Sequence, residues 1–170
     1  YEIAYRISAL SHRLKLSANA FYNAYTDQQI AVIDPNADPL PFTATLNAGE
    51  SEAYGFELEA QYQMPNGVHA FASLGYLDTE LGSFDDSNCP DGSCGGNSYS
   101  EAPELTGALG ADYRHSSGFY GNFVVTYTDE FFRNIENDPD LVVDQVVLVN
   151  AKLGYEFSAY RIAFFANNLF

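Results

Sequence analysis

From Leu14 onward, Leu14, Leu16, Ala18, Ala20 and Tyr22 fall on one parity and Lys15, Ser17, Asn19, Phe21 and Asn23 on the other. An extended chain sends successive side chains to opposite faces, so this period makes one face apolar and the other mostly polar. Residues 54–64 repeat the pattern, with Tyr54, Phe56, Leu58, Ala60, Tyr62 and Met64 interleaved with Gly55, Glu57, Glu59, Gln61 and Gln63. Such a strand requires an oily phase along one side and water, or paired polar groups, along the other.

The same alternation predicts further strands near 1–9, 68–82, 104–115, 119–133, 144–157 and 160–170, eight long strands in all. The outward sets are Val68, Ala70, Ala72, Leu74 and Tyr76 in the fourth and Phe119, Phe123, Val125 and Tyr127 in the sixth, where Asn122, Thr126 and Thr128 stand opposite. In the seventh, Val147, Val149, Ala151, Leu153, Tyr155 and Phe157 oppose Asn150, Lys152 and Glu156. Aromatics recur eight residues apart on one face, at Tyr54 and Tyr62 and again at Phe119 and Tyr127. Eight residues at about 3.3 Å rise and a tilt of about 40° climb roughly 20 Å, close to the height of a lipid-facing band with an aromatic girdle at each edge.

Connections alternate in length. Short ones fall at 10–13, 65–67, 116–118 and 158–159, and long ones near 34–42, 83–102 and 134–143, as expected of a membrane barrel with tight turns at one rim and extended loops at the other. Charge sorts along the same axis. His12, His69, His115, Arg6, Arg13, Lys15, Arg114 and Arg161 lie toward the short turns, whereas Asp34, Asp38, Asp78, Glu80, Glu101, Glu104, Asp129, Glu130 and Asp140 lie toward the long loops.

The balance of 7 Lys plus Arg against 23 Asp plus Glu, a formal net charge of −16, excludes nucleic acid as a partner, because phosphate neutralisation needs clustered cations. No apolar run approaches the roughly eighteen residues of a transmembrane helix, a test that is blind to barrels. No charged leader precedes an apolar core, and the opening Tyr1-Glu2-Ile3-Ala4-Tyr5-Arg6 already alternates. If the first connection lies at the inner rim, eight strands leave both ends at the outer rim. That inverted topology predicts an interior slice of a larger barrel, lacking earlier strands and a final descending one, over a closed eight-stranded barrel.

Cys89 and Cys94 stand five apart in a polar loop, which favours a disulfide formed in an oxidising compartment; two thiols with no nearby His make half a zinc site. The stretch Asp85-Asp86-Ser87-Asn88-Cys89-Pro90-Asp91-Gly92 suggests calcium superficially but lacks the EF-hand spacing and its terminal Glu. It reads as a solvated acidic loop, with Asp85, Asp86 and Asp91 as lesser cation candidates and no metal site assigned. Glu57 and Glu59 share a strand face, which makes them wet-interior carboxylates, with Gln61, Gln63, Asn150 and Lys152, before it makes them a glycosidase pair. Tyr99, Phe131 and Phe132 are candidates for stacking on a ligand at the outer mouth, beside a girdle role. No catalytic motif, nucleophile–base pair or cofactor fingerprint is present, so neither an enzyme nor a cofactor is expected.

Five segments resemble one family. Asn47-Ala48-Gly49 leading into Tyr54-Gly55-Phe56-Glu57-Leu58-Glu59 resembles a strand of TonB-dependent outer-membrane receptors, and Phe71 to Glu80 is similar to the family's following strand. Ala102-Pro103-Glu104-Leu105 with Leu109 to His115, then Leu148 to Tyr155, and finally Ala166-Asn167-Asn168-Leu169-Phe170 are similar to later strands in order. The resemblance spans nearly the whole chain and implies an antiparallel up-and-down transmembrane β-barrel segment over 1–170, in the bacterial outer membrane. It further implies a role in importing a scarce nutrient, of the ferric siderophore, haem, cobalamin or glycan class. Implied partners are outer-membrane lipid, a small-molecule ligand, an N-terminal plug domain and, through the plug, the TonB complex; the family's plug, TonB-contacting box and terminal strand have no counterpart in these residues. A passive outer-membrane pore or structural small barrel is one rival, and a secreted soluble β-sandwich binding calcium or carbohydrate is another.

Overall fold

A computed structural model describes residues 1–34, 42–86, 88–89 and 92–169. Eight long strands form one antiparallel sheet: β1 (Glu2–Ala9), β2 (Leu14–Thr26), β5 (Glu50–Gln63), β6 (Val68–Glu80), β7 (Leu105–Arg114), β8 (Phe119–Thr128), β11 (Val146–Phe157) and β12 (Tyr160–Ala166), in that spatial order. Two hairpins stand apart from it, β3 (Gln29–Asp34) with β4 (Phe42–Asn47), and β9 (Phe131–Phe132) with β10 (Val142–Val143). Neighbours in the sheet are neighbours in sequence apart from those hairpins, which is an up-and-down meander. Among the described residues β1 and β12 pair on one side only, so the eight strands do not close on themselves.

Register carries the alternation across the sheet without a slip. Ile7 pairs Leu16, Leu16 pairs Ala60, Ala60 pairs Ala72, Ala72 pairs Leu109, Leu109 pairs Val125 and Val125 pairs Val149. That row is apolar throughout. The adjacent row runs Arg6, Ser17, Glu59, Ser73, Ala108, Thr126 and Leu148 on the opposite face. A one-residue slip anywhere would exchange the two faces, so the pattern holds the register in place.

Among the described residues nothing packs against the apolar face: Leu58, Leu74, Leu109, Leu153 and Phe164 are all exposed, Leu153 to 70%. An apolar surface of that extent is untenable in water. The sheet is therefore no half of a sandwich, in which such stripes would interdigitate across a dry interior.

The packed core lies elsewhere. Ala48, Leu81, Phe84, Cys89 and Cys94 form one buried cluster, with Ile30, Leu46, Tyr99 and Ile135 packed around it. These residues come from the three long connections, 27–49, 81–104 and 129–145, which antiparallel alternation gathers at one end of the sheet. The four short turns lie at the other. The β1–β2 turn places Leu10, Ser11 and His12 in succession at φ 53°, 56° and 65°.

Three expectations change. The sixth strand ends at Thr128, and Phe131 and Phe132 belong to β9 instead of its continuation, because the chain leaves the sheet at Asp129 to pair with Val142–Val143. The eight long strands stand as read, but among the described residues the first and third long connections each add a short hairpin of their own. Asp86 is buried at 8% exposure, so the solvated acidic loop describes Asp85 and fails for Asp86. Asp38, Asp91 and Phe170 lie outside the described residues.

Candidate functional site

The long connections fold inward. Ser51, Ala53 and Thr79, all buried, sit on the polar face of β5 and β6 just below the loop cluster. Backbone groups of the second connection fasten directly onto them: Tyr99 N–H donates to Thr79 Oγ1 (3.0 Å) and Gly82 N–H to Ser51 Oγ (2.9 Å), while Ser51 Oγ donates to the Ala48 carbonyl (3.2 Å). Gly82 has to be glycine, since a Cβ there would strike the Glu50 and Ala48 carbonyls. The mouth of the polar face is thus roofed by its own loops.

The Asn47-Ala48-Gly49 segment acquires a physical reason here. Ala48 is fully buried, Gly49 takes φ 54°, and Asn47 bonds both ways, its Nδ2 to Asp27 (3.0 Å) and its Oδ1 from Gly49 N–H (3.2 Å). The third connection joins through Asn137, whose Oδ1 accepts from Ser98 N–H (2.8 Å) and whose Nδ2 donates to the Ser98 carbonyl (3.0 Å); Asn97 Nδ2 reaches the Ile135 carbonyl (2.8 Å). Tyr99 packs on the cluster and donates its hydroxyl to Gln28 (3.1 Å). Burial holds its phenol above the ordinary value of 10.0, against an opposing hydrogen bond with Ser51. Phe131 and Phe132 are half-buried in β9, where Glu101 N–H bonds the Phe132 carbonyl (2.8 Å).

Cys89 and Cys94 are both buried, with Cα atoms 5.3 Å apart and sulfurs in contact, a spacing a disulfide spans. Asp86 Oδ1 accepts from Asn88 N–H and Nδ2, both at 2.9 Å, and Asp85 bridges to Ser93. Beside this cluster lies a hollow of about 660 Å³ lined by Tyr22, Tyr25, Glu50, Glu52 and Glu80 among others. Glu52 and Glu80 are direct cross-strand neighbours, a like-charge pair that makes this part of the rim negative.

Glu57, Glu59, Gln61 and Gln63 on β5 and Asn150 and Lys152 on β11 share the polar face. Glu57 pairs Asn19, Gln61 pairs Lys15, Gln63 pairs His69, and Lys152 pairs Asn122. The face is mixed, for Phe71, Val124 and Leu148 also stand on it. Toward the short turns it becomes cationic: Arg114, Lys152 and Arg161 surround the Tyr120 ring at 5.4, 5.8 and 5.9 Å, and Glu156 bridges Arg114 (3.1 Å) and Arg161 (2.6 Å). Gly154 gives that ring its seat, because any Cβ there would collide with it. Sequence reasoning missed this constellation, since its members come from four strands, β7, β8, β11 and β12, and meet only through register.

An oily outer face, a mixed polar inner face, short turns at one rim and a roofed mouth at the other coincide with a match of residues 1–169 to the family described as TonB dependent receptor-like, beta-barrel. The chain belongs to that family. Solved structures share the fold: the siderophore receptor PiuA from Acinetobacter baumannii matches at 23% identity and TM-score 0.75, with 99% of this chain and 23% of that one covered. The ferric yersiniabactin uptake receptor FyuA from Yersinia pestis gives 19% and 0.76, with 99% and 24% covered, and the copper transporter OprC gives 15% and 0.70, with 99% and 25%. This receptor chain spans about a quarter of the length of the structures it matches.

Proposed function

We propose that the chain forms part of the wall and outer mouth of a TonB-dependent outer-membrane transporter that binds a scarce nutrient at its loops and imports it. The observation that carries this reading is the packing of all three long connections into one core over the polar face. Loops fastened over the polar face at Ser51 and Thr79 support gated passage over a freely open channel.

In this reading the apolar face meets outer-membrane lipid, and Glu57, Glu59, Gln61, Gln63, Asn150 and Lys152 line a wet interior. Cys89 and Cys94 are oxidised to a disulfide that ties the second loop. Phe131 and Phe132 edge the mouth, and Tyr99 supports it from beneath. The cargo is a metal chelate or metal ion, by likeness to proteins named as siderophore, ferric and copper transporters. The remaining partners are an N-terminal plug domain and, acting on it, the TonB complex.

Cells expressing the full-length receptor test this directly, with uptake of labelled ferric chelates, haem, cobalamin and oligosaccharide measured with and without a functional TonB. Saturable, TonB-dependent uptake of one cargo that is lost when Phe84→Asp opens the loop core is the expected result. Uptake that is unsaturable and independent of TonB supports the passive pore.

A further inference from the structure

The loop core contains a constellation of which the transport reading uses only the oxidised cysteine pair. The sulfurs of Cys89 and Cys94 and a carboxylate oxygen of Asp86 lie within 4.8 Å of one another, and all three residues are buried, to 6%, 0% and 8% exposure. Asp86 turns Oδ1 to Asn88, while its other oxygen, Oδ2, is buried with no hydrogen-bond donor among the described residues. A buried carboxylate oxygen without a donor is costly unless a cation or proton meets it. Two sulfurs beside it supply soft ligands and the carboxylate a third, which leaves one position of a tetrahedron for water.

We propose that Asp86, Cys89 and Cys94, with the cysteines reduced, form a binding site for a thiophilic divalent cation of the zinc and cadmium class. Disulfide formation and metal binding are alternative states of this one site. In the passage between them an external thiol reductant breaks the S–S bond, giving two electrons and two protons to the cysteine sulfurs and leaving as its own disulfide. The cation then displaces both thiol protons and forms two sulfur–metal bonds, with Asp86 already ionised. The disulfide state has no thiolate to offer and releases the ion.

The test uses the purified full-length receptor in detergent, reduced with a phosphine and titrated with Cd²⁺ while the thiolate-to-cadmium ultraviolet band is followed. The expected result is one equivalent bound when reduced, none when oxidised and none in Cys89→Ser/Cys94→Ser. Asp86→Asn keeps the Asn88 contacts and weakens binding by on the order of 10- to 100-fold, while Asp85→Asn binds as the parent does. No band in the reduced parent, undiminished affinity in Asp86→Asn, or equal losses in the Asp85 and Asp86 variants would overturn the site. Because the readout is spectroscopic, its failure leaves the transport reading standing, and failure of transport leaves the site standing.

Discussion

Leu58 of β5 stands directly opposite Leu74 of β6 on the uncovered apolar face, while the next pair along the same strands, Glu59 and Ser73, meets on the other side. Adjacent residues on one strand therefore face two solvents. Leu74→Arg places a guanidinium in hydrocarbon and is expected to cost about 2–4 kcal/mol in membrane assembly, whereas Ser73→Arg adds a charge beside Glu59 and is tolerated. Heat-modifiable mobility of the folded barrel on gels measures both, and equal effects or the reverse order would contradict the assignment of faces.

Gly82 is the joint between the second long connection and the sheet. Its N–H reaches Ser51 and its missing Cβ leaves room for the Ala48 and Glu50 carbonyls. Gly82→Ala is expected to loosen the loop core by about 1–3 kcal/mol, the scale of an overpacking defect, without harming the eight-stranded sheet. Limited proteolysis reads this as faster cleavage within 81–104 in a barrel that still resists unfolding. Unchanged cleavage would show that the loops do not depend on this approach.

What the chain reveals before folding divides along the same line as its two solvents. Period-two alternation is a local signal, and register simply propagates it, so the row from Ile7 to Val149 was legible strand by strand. The Asn47-Ala48-Gly49 segment was recognisable as a motif, although its reason, a fully buried Ala48 roofed by Gly82, needs contacts between distant connections. The hairpins β3–β4 and β9–β10 were missed because strands of two to six residues within loops are too short to build a period. Asp86 was misjudged for a related reason: an acidic run reads as solvated until Phe84, Cys89 and Cys94 are seen to draw it into a core. The cations around Tyr120 are visible only once four strands are in register.

The β1–β2 turn holds Leu10, Ser11 and His12 in the left-handed region, where a side chain crowds the following carbonyl. His12 Nδ1 meets Ser8 Oγ at 2.8 Å and the Leu10 carbonyl accepts from Arg13 Nε at 3.2 Å, whereas the Ser11 hydroxyl has no hydrogen-bond partner among the described residues. Ser11→Gly is expected to stabilise the hairpin by about 0.5–1 kcal/mol, the relief of strain less the added freedom of the unfolded chain. Unfolding in urea of the refolded barrel checks this, and a shift of the midpoint to lower urea would count against it.

Tyr99 makes the loop core sensitive to alkali. Burial raises its phenol above 10.0 in the fold, so the unfolded loop gives up the proton first as pH climbs. The stabilisation is therefore fully present below the unfolded value and is lost as pH rises through the higher folded one. Subtracting the ultraviolet titration of Tyr99→Phe from that of the parent isolates this one phenol among the 13 tyrosines, and it is expected to ionise above 10.0. Protease sensitivity within 81–104 should rise over the same alkaline range in the parent, and rise less in Tyr99→Phe, which cannot ionise but has already lost the bond to Gln28. A difference titration centred at or below 10.0 would mean that Tyr99 is not held against the cluster, and that the roof over the polar face rests on Ser51, Gly82 and Asn137 alone.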